Sequence, residues 1–201
     1  MHRPVRRLVQ LYAGLLLYGA TIAVQVRAGL GLDPWDVFHQ GVADHTGLSF
    51  GTVVNLTGAA VLLAWIPLRQ RPGIGTISNV LVIGIAADAT LAVLPEAGSA
   101  PVGWAMLIAA VALNGVASGA YIGAGLGPGP RDGLMTGLVH RTGRSVRVVR
   151  TTIEVGVLAV GVVLGGTVGP GTVIYALSIG PLIHVFLPRL TVAPRVEIAP
   201  S

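Results

Sequence analysis

Cysteine and lysine are both missing from this chain of 201 residues, and only 10% of its residues are charged. Without thiols there are no disulfides, no thiolate metal sites and no cysteine nucleophile. No Ser-His-Asp set, metal-ligand helix motif or phosphate loop stands out. The stretch "GAGLGPGP" lacks both the full glycine fingerprint and the preceding strand of a dinucleotide loop. Since no activated nucleophile or complete acid-base set can be assembled, the chain is not expected to be an enzyme or to hold a cofactor or metal. The first apolar run is followed by no small-residue cleavage pattern, so it reads as a retained span and not as a cleaved signal.

What is present is apolar. Hydrophobic residues make up 53% of the chain, the mean hydropathy is +0.78, and there are 29 glycines. This is a membrane composition, in which small residues let helix backbones approach closely. A net charge of +5 would fit a nucleic-acid partner, but all 13 basic residues are arginines gathered at the ends of apolar runs. That distribution marks cytoplasmic loops, and no nucleic acid is expected.

Windows of about 20 apolar residues, the length that crosses a hydrocarbon core, fall at 8–26, 50–68, 74–94, 102–124, 146–164 and 172–187. With the N-terminus inside, the cytoplasmic segments hold Arg3, Arg6 and Arg7, then Arg69 and Arg71, then Arg131, Arg141, Arg144, Arg147 and Arg150, and finally Arg189 and Arg195. Only Arg27 falls outside. The expected protein is therefore an all-α, six-span protein of a bacterial inner membrane with both termini cytoplasmic. It forms a single domain over 1–201 with a short cytoplasmic tail at 191–201.

The chain also matches itself without a gap at an offset of 96 positions. Gly29, Leu30 and Gly31 meet Gly125, Leu126 and Gly127; Pro34 and Asp36 meet Pro130 and Asp132; Gly73, Gly75 and Thr76 meet Gly169, Gly171 and Thr172. Aligned Gly, Pro, Asp and Thr are not what chance similarity between apolar runs supplies. The units run from about 8 to 95 and from about 102 to 190, each with three spans. An odd number of spans inverts the second unit relative to the first.

Each unit carries a short segment too brief to span. Asp33 is suited to cap it, Pro34 to its first position and Asp36 to the positive end of its dipole. Gly47 and Gly143 mark the stops. Two readings stand. In one, these helices lie flat at the surfaces and Asp36 and Asp132 merely stabilise their starts. In the other they re-enter the membrane from opposite faces and line a path.

Ionisable groups inside spans are candidates for that path. Asp88 and His184 occupy equivalent positions and form a possible relay, and Glu154 follows Arg150 by one helical turn, where an ion pair is expected. Asn55 and Thr151 match in register, as ligand contacts or as interhelical glue. Gly115, Gly119 and Gly123 form a packing stripe, and Gly161 and Gly165 repeat its spacing. His39 and Asp36 have a spacing that two metal ligands can use, although a solvated face explains it better. Arg141, Arg144 and Arg147 precede a span and suit anionic lipid headgroups.

The stretch "GLGLDPWDVFHQGVADHTGLSFGTVVNLTGAAVLLAWIPL", followed by "RPGIGTISNVLVIGIAADATL", resembles the YczE-type branch of the YczE/YyaS/YitT group of bacterial integral membrane proteins. Gly29, Gly31, Pro34, Asp36, Gly73, Gly75, Thr76 and Asp88 carry the resemblance. It implies a polytopic inner-membrane protein and brings no activity or substrate. In the second unit "DPWD" becomes "GPRD", so any role of Asp33 or Trp35 need not be duplicated. The expected function is a small-solute transporter or channel-like permease, with Asp36, Asp132, Asp88, Glu154, His184, Asn55 and Thr151 as path candidates. The alternative is a non-transporting scaffold that supports another enzyme or assembly.

Overall fold

A computed structural model describes residues 4–192. Arg3, Arg195 and most of the tail at 191–201 lie outside the described residues. The described chain is all helical: α1 (Pro4–Ala28), α2 (Pro34–Thr46), α3 (Phe50–Leu68), α4 (Ile74–Val93), α5 (Ala100–Gly123), α6 (Pro130–Thr142), α7 (Val146–Val163) and α8 (Pro170–Leu190). Five of these, α1, α3, α4, α5 and α8, are long and apolar enough to cross a membrane. The window at 146–164 is the exception to the six-span expectation. Its helix, α7, has 18 residues and includes Arg147, Arg150 and Glu154, so composition alone does not mark it as a span.

The helix ends follow local chemistry. Asp33 accepts hydrogen bonds from the Trp35 and Asp36 amides at 2.8 and 2.9 Å, Pro34 fills the first position of α2, and Gly47 ends it in a left-handed turn. Helix α6 has Pro130 and the stop Gly143 but only glycine at its cap, so no side chain satisfies its first amides. Ser49 and Ser145 cap α3 and α7. At the starts of α4 and α8, Thr76 and Thr172 hydroxyls accept from the Gly73 and Gly169 amides.

At the centre α1 and α5 run antiparallel, with Gly14 close against Ala117 and Tyr121 at one end of the contact and Arg27 and Ala28 near the start of α5 at the other. Gly19 brings α4 onto α1, against Ile83 and Ala86, while Gly115, Gly119 and Gly123 bring α8 onto α5, against Leu182, Phe186 and Leu190. The expected packing stripe on α5 is thus a seat for α8. The stripe expected at Gly161 and Gly165 does not form: Gly161 packs on Val37 and Phe38 of α2, whereas Gly165 takes a positive φ just past the end of α7, with open space around it.

The loops before α2 and α6 each reach the start of a helix distant in sequence. Gly31, at φ +106°, lies against Gly169, and the Leu30 carbonyl accepts from the Gly171 amide at 2.7 Å. In the same way Gly127, at φ +129°, lies against Gly73, and the Leu126 carbonyl accepts from the Gly75 amide at 2.8 Å. Each loop supplies one carbonyl to an otherwise unpaired amide, at the start of α8 and of α4 respectively. Only glycine combines such a φ with so close a backbone approach. These two exchanges fix where α2 and α6 begin.

Candidate functional site

The starts of α2 and α6 are held inside the bundle, while their C-terminal ends reach the surface. Helix α2 packs on α7, and α6 packs on α3, where the Trp65 indole donates to the Pro130 carbonyl at 3.0 Å. Asp33, Trp35, Asp36 and His39 are all buried, with Asp36 wholly enclosed. Helices in water expose such residues. Here Trp35, Asp36 and Val37 of the first turn of α2 are packed inside protein.

Position 35 and its equivalent, 131, meet each other. The Arg131 guanidinium carbon lies 5.2 Å from the centre of the Trp35 ring, a cation–π arrangement. Arg131 also lies 3.8 Å from the Asp33 carboxylate and donates to the Tyr18 hydroxyl at 3.4 Å. Tyr18 stands edge-on to Tyr121, whose hydroxyl donates to Asp132 at 3.3 Å. Beside them, Asn114 donates to Thr21 at 2.8 Å and accepts from Tyr175 at 3.0 Å. The central polar layer is therefore built from α1, α2, α5, α6 and α8.

Asp36 and His39 face each other one helical turn apart, with Oδ1 and Nδ1 at 3.0 Å. A carboxylate partner makes Nδ1 the donor and leaves Nε2 as an acceptor. The second Asp36 oxygen has no hydrogen-bond partner, and neither does Trp35 Nε1. Burial pushes the Asp33 and Asp36 carboxyls up to about 6, opposed in both by Arg131, and pushes the His39 imidazole down to about 3. The solvated face expected to explain this spacing is overturned, because both residues are buried. A cavity opens against the pair, bordered by Arg131 on α6 and by Ile22, Thr57 and Asn79 on three other helices.

The remaining candidates separate. Asp132 joins the polar layer through Tyr121, and half-buried Glu154 lies within electrostatic reach of Arg131, Asp33 and Trp35. The expected Arg150–Glu154 ion pair is absent among the described residues, since Arg150 points outward. Asp88 accepts from the Ser49 hydroxyl at 2.5 Å and from the Gly51 amide at 2.7 Å, so it caps α3. His184 is exposed on α8, and the two do not form a relay. Asn55 bridges α3 and α4 through the Leu81 carbonyl and the Gly84 amide, and Thr151 is exposed. Arg141 donates to the Pro67 carbonyl, while Arg144 and Arg147 are exposed. Arg131, grouped by sequence with that basic flank, turns inward instead. The signal for its role was its register: it replaces Trp35 in a motif whose first aspartate, Asp33, is also unduplicated.

Fold and site together describe an all-helical integral membrane protein with a buried polar layer between two short helices. Residues 5–188 match the model of DUF6198, a family of unknown function, and the chain belongs to that family. It is 33% identical to the uncharacterized membrane protein YczE of Bacillus subtilis, over 89% of this chain and 84% of that protein. An uncharacterized protein of Haemophilus influenzae is 36% identical over 90% of this chain and 84% of its own length. The similarity to YyaS of Bacillus subtilis is 25% over 87% of this chain and 89% of that protein. No solved structure matches.

Proposed function

We propose that this protein is a small-solute transporter or channel-like permease, and not an enzyme, whose path passes the Trp35–Arg131 contact between two inverted units. The observation that carries this reading is the meeting of the α2 and α6 starts inside the bundle, beside a cavity and among groups that lipid would reject. In this reading α7 is the sixth span. Its basic first turn and Arg141 rest among anionic headgroups on the cytoplasmic side, where both termini also lie. Asp36, Asp132 and Glu154 line the path, and Asp33, Trp35 and Arg131 close it at the centre.

Two measurements test the proposal. Because the chain has no native cysteine, Thr46→Cys and Thr142→Cys can each be probed with a membrane-impermeant maleimide, and they are expected to label from opposite sides. Labelling from one side refutes the inverted arrangement. Stopped-flow shrinkage of proteoliposomes against a panel of small ionic and neutral solutes is expected to show at least one permeability above that of empty vesicles, altered by Arg131→Ala. A panel indistinguishable from empty vesicles refutes transport and leaves the scaffold reading.

A further inference from the structure

The cavity beside α2 has an unequal charge balance. Two buried carboxylates, Asp33 and Asp36, share one partly buried guanidinium, and Arg131 is already committed to Asp33, the Tyr18 hydroxyl and the Trp35 face. His39 is held neutral by burial and gives Asp36 a hydrogen bond without cancelling its charge. That leaves one carboxylate oxygen, Asp36 Oδ2, enclosed and without a donor, on a residue that borders the cavity. Leaving a buried acceptor unpaired is costly, so this oxygen favours a ligand that donates a hydrogen bond.

The rest of the wall narrows the choice of donor. A hard metal cation takes six or more oxygen ligands from side chains, backbone carbonyls and water, and besides Asp36 the lining offers it side-chain oxygen from Thr57 and Asn79 alone. An ammonium group has three N–H donors and no acceptor, which suits three such side chains. Much of the remaining lining is aliphatic, from Ile22, Val54, Val61, Val80 and Ile83, and it suits an alkyl body better than a hydrated ion. An anion would meet the unpaired carboxylate and is excluded by it.

We propose that this cavity is a binding site for a short-chain primary ammonium cation, its head on Asp36 and its alkyl chain against the valines of α3 and the aliphatic side chains of α4. The proposal rests on the permease reading only for how the cation reaches the site. Its test therefore involves no flux, and either idea can fail while the other stands.

Purified protein in detergent at about pH 8, where the Asp36 carboxyl is ionised and an alkylamine is protonated, is titrated with butylammonium, 1-butanol and butyrate while thermal unfolding is followed. Butylammonium is expected to raise the unfolding temperature saturably, and butanol and butyrate are not. Asp36→Asn is expected to weaken butylammonium binding about tenfold, the loss of one charge-assisted hydrogen bond. Val61→Phe, which fills the cavity and leaves the carboxylate intact, is expected to abolish binding. Asp88→Asn, remote from the cavity, is expected to bind as the parent does. The proposal is overturned by the absence of a saturable shift, by an equal shift from butyrate, or by undiminished binding in Asp36→Asn. If Asp36→Asn does not fold, undiminished binding in Val61→Phe overturns it instead.

Discussion

Helices α2 and α6 each have 13 residues, begin with proline and end at a left-handed glycine, yet they carry different chemistry in almost the same frame. The first has Asp33, Trp35 and His39 where the second has Gly129, Arg131 and Met135. Backbone geometry is what the two motifs share, down to the positive φ angles at Gly31 and Gly127. Side-chain chemistry is what they divide. A partly buried arginine is stabilised beside a carboxylate and an aromatic face, and Asp33 and Trp35 at the start of α2 supply both. The two motifs have thus become complementary to each other at the place where they touch.

If shared geometry is the foundation, breaking it should cost more than breaking the divided chemistry. Gly31→Val puts a side chain at φ +106° with the Gly169 backbone 2.5 Å from its first carbon. Strain and clash together are expected to cost about 3 kcal/mol and to prevent recovery of folded protein. Gly29, two residues earlier at φ +67°, has nothing within 4 Å of the same position. Gly29→Ala is expected to cost only about 1 kcal/mol. Yield and thermal unfolding of the two variants separate close approach from backbone conformation. Equal behaviour would mean that the loop exchange does not hold the halves together.

This part of the molecule is legible in the sequence itself. The ends of α2 follow from Asp33, Pro34 and Gly47, because caps and stops act within a few residues of their own position. The offset of 96 residues paired Gly31 with Gly127 and Gly73 with Gly169. What it did not reveal is that Gly31 touches Gly169 and Gly127 touches Gly73: equivalence in register says nothing about contact between elements. The same gap explains Arg131. Its neighbours in sequence are basic and exposed, and only tertiary packing turns it toward Asp33. Asp88 misled for the opposite reason, since an acid inside an apolar run looks like a path residue until the start of α3 is found against it.

The divided chemistry can be probed on its own. Arg131→Ala leaves Asp33 and Asp36 without a nearby positive charge, and breaking a fully buried pair in this way costs about 3–5 kcal/mol. Because the Arg131 side chain is 32% exposed, about 2 kcal/mol is expected here. Adding Asp33→Asn to that variant is expected to restore about half the loss, because asparagine still caps α2 while the charge is gone. Thermal unfolding of the two single variants and the double variant closes the cycle. Additive losses would show that Asp33 and Arg131 are neighbours without coupling.

The smallest contrast lies at the register pair Asp88 and His184, where one half has recruited the position and the other has not. Asp88 accepts from the Gly51 amide and the Ser49 hydroxyl at the start of α3, so Asp88→Ala removes a cap and is expected to cost about 1 kcal/mol. His184 is exposed, and His184→Ala is expected to change stability by less than about 0.5 kcal/mol. Neither substitution is expected to alter solute permeability in proteoliposomes, because neither side chain touches the polar layer. A permeability change in Asp88→Ala at unchanged stability would bring the path out to the α3–α4 seam. It would also displace the Trp35–Arg131 contact from the centre of the proposed path.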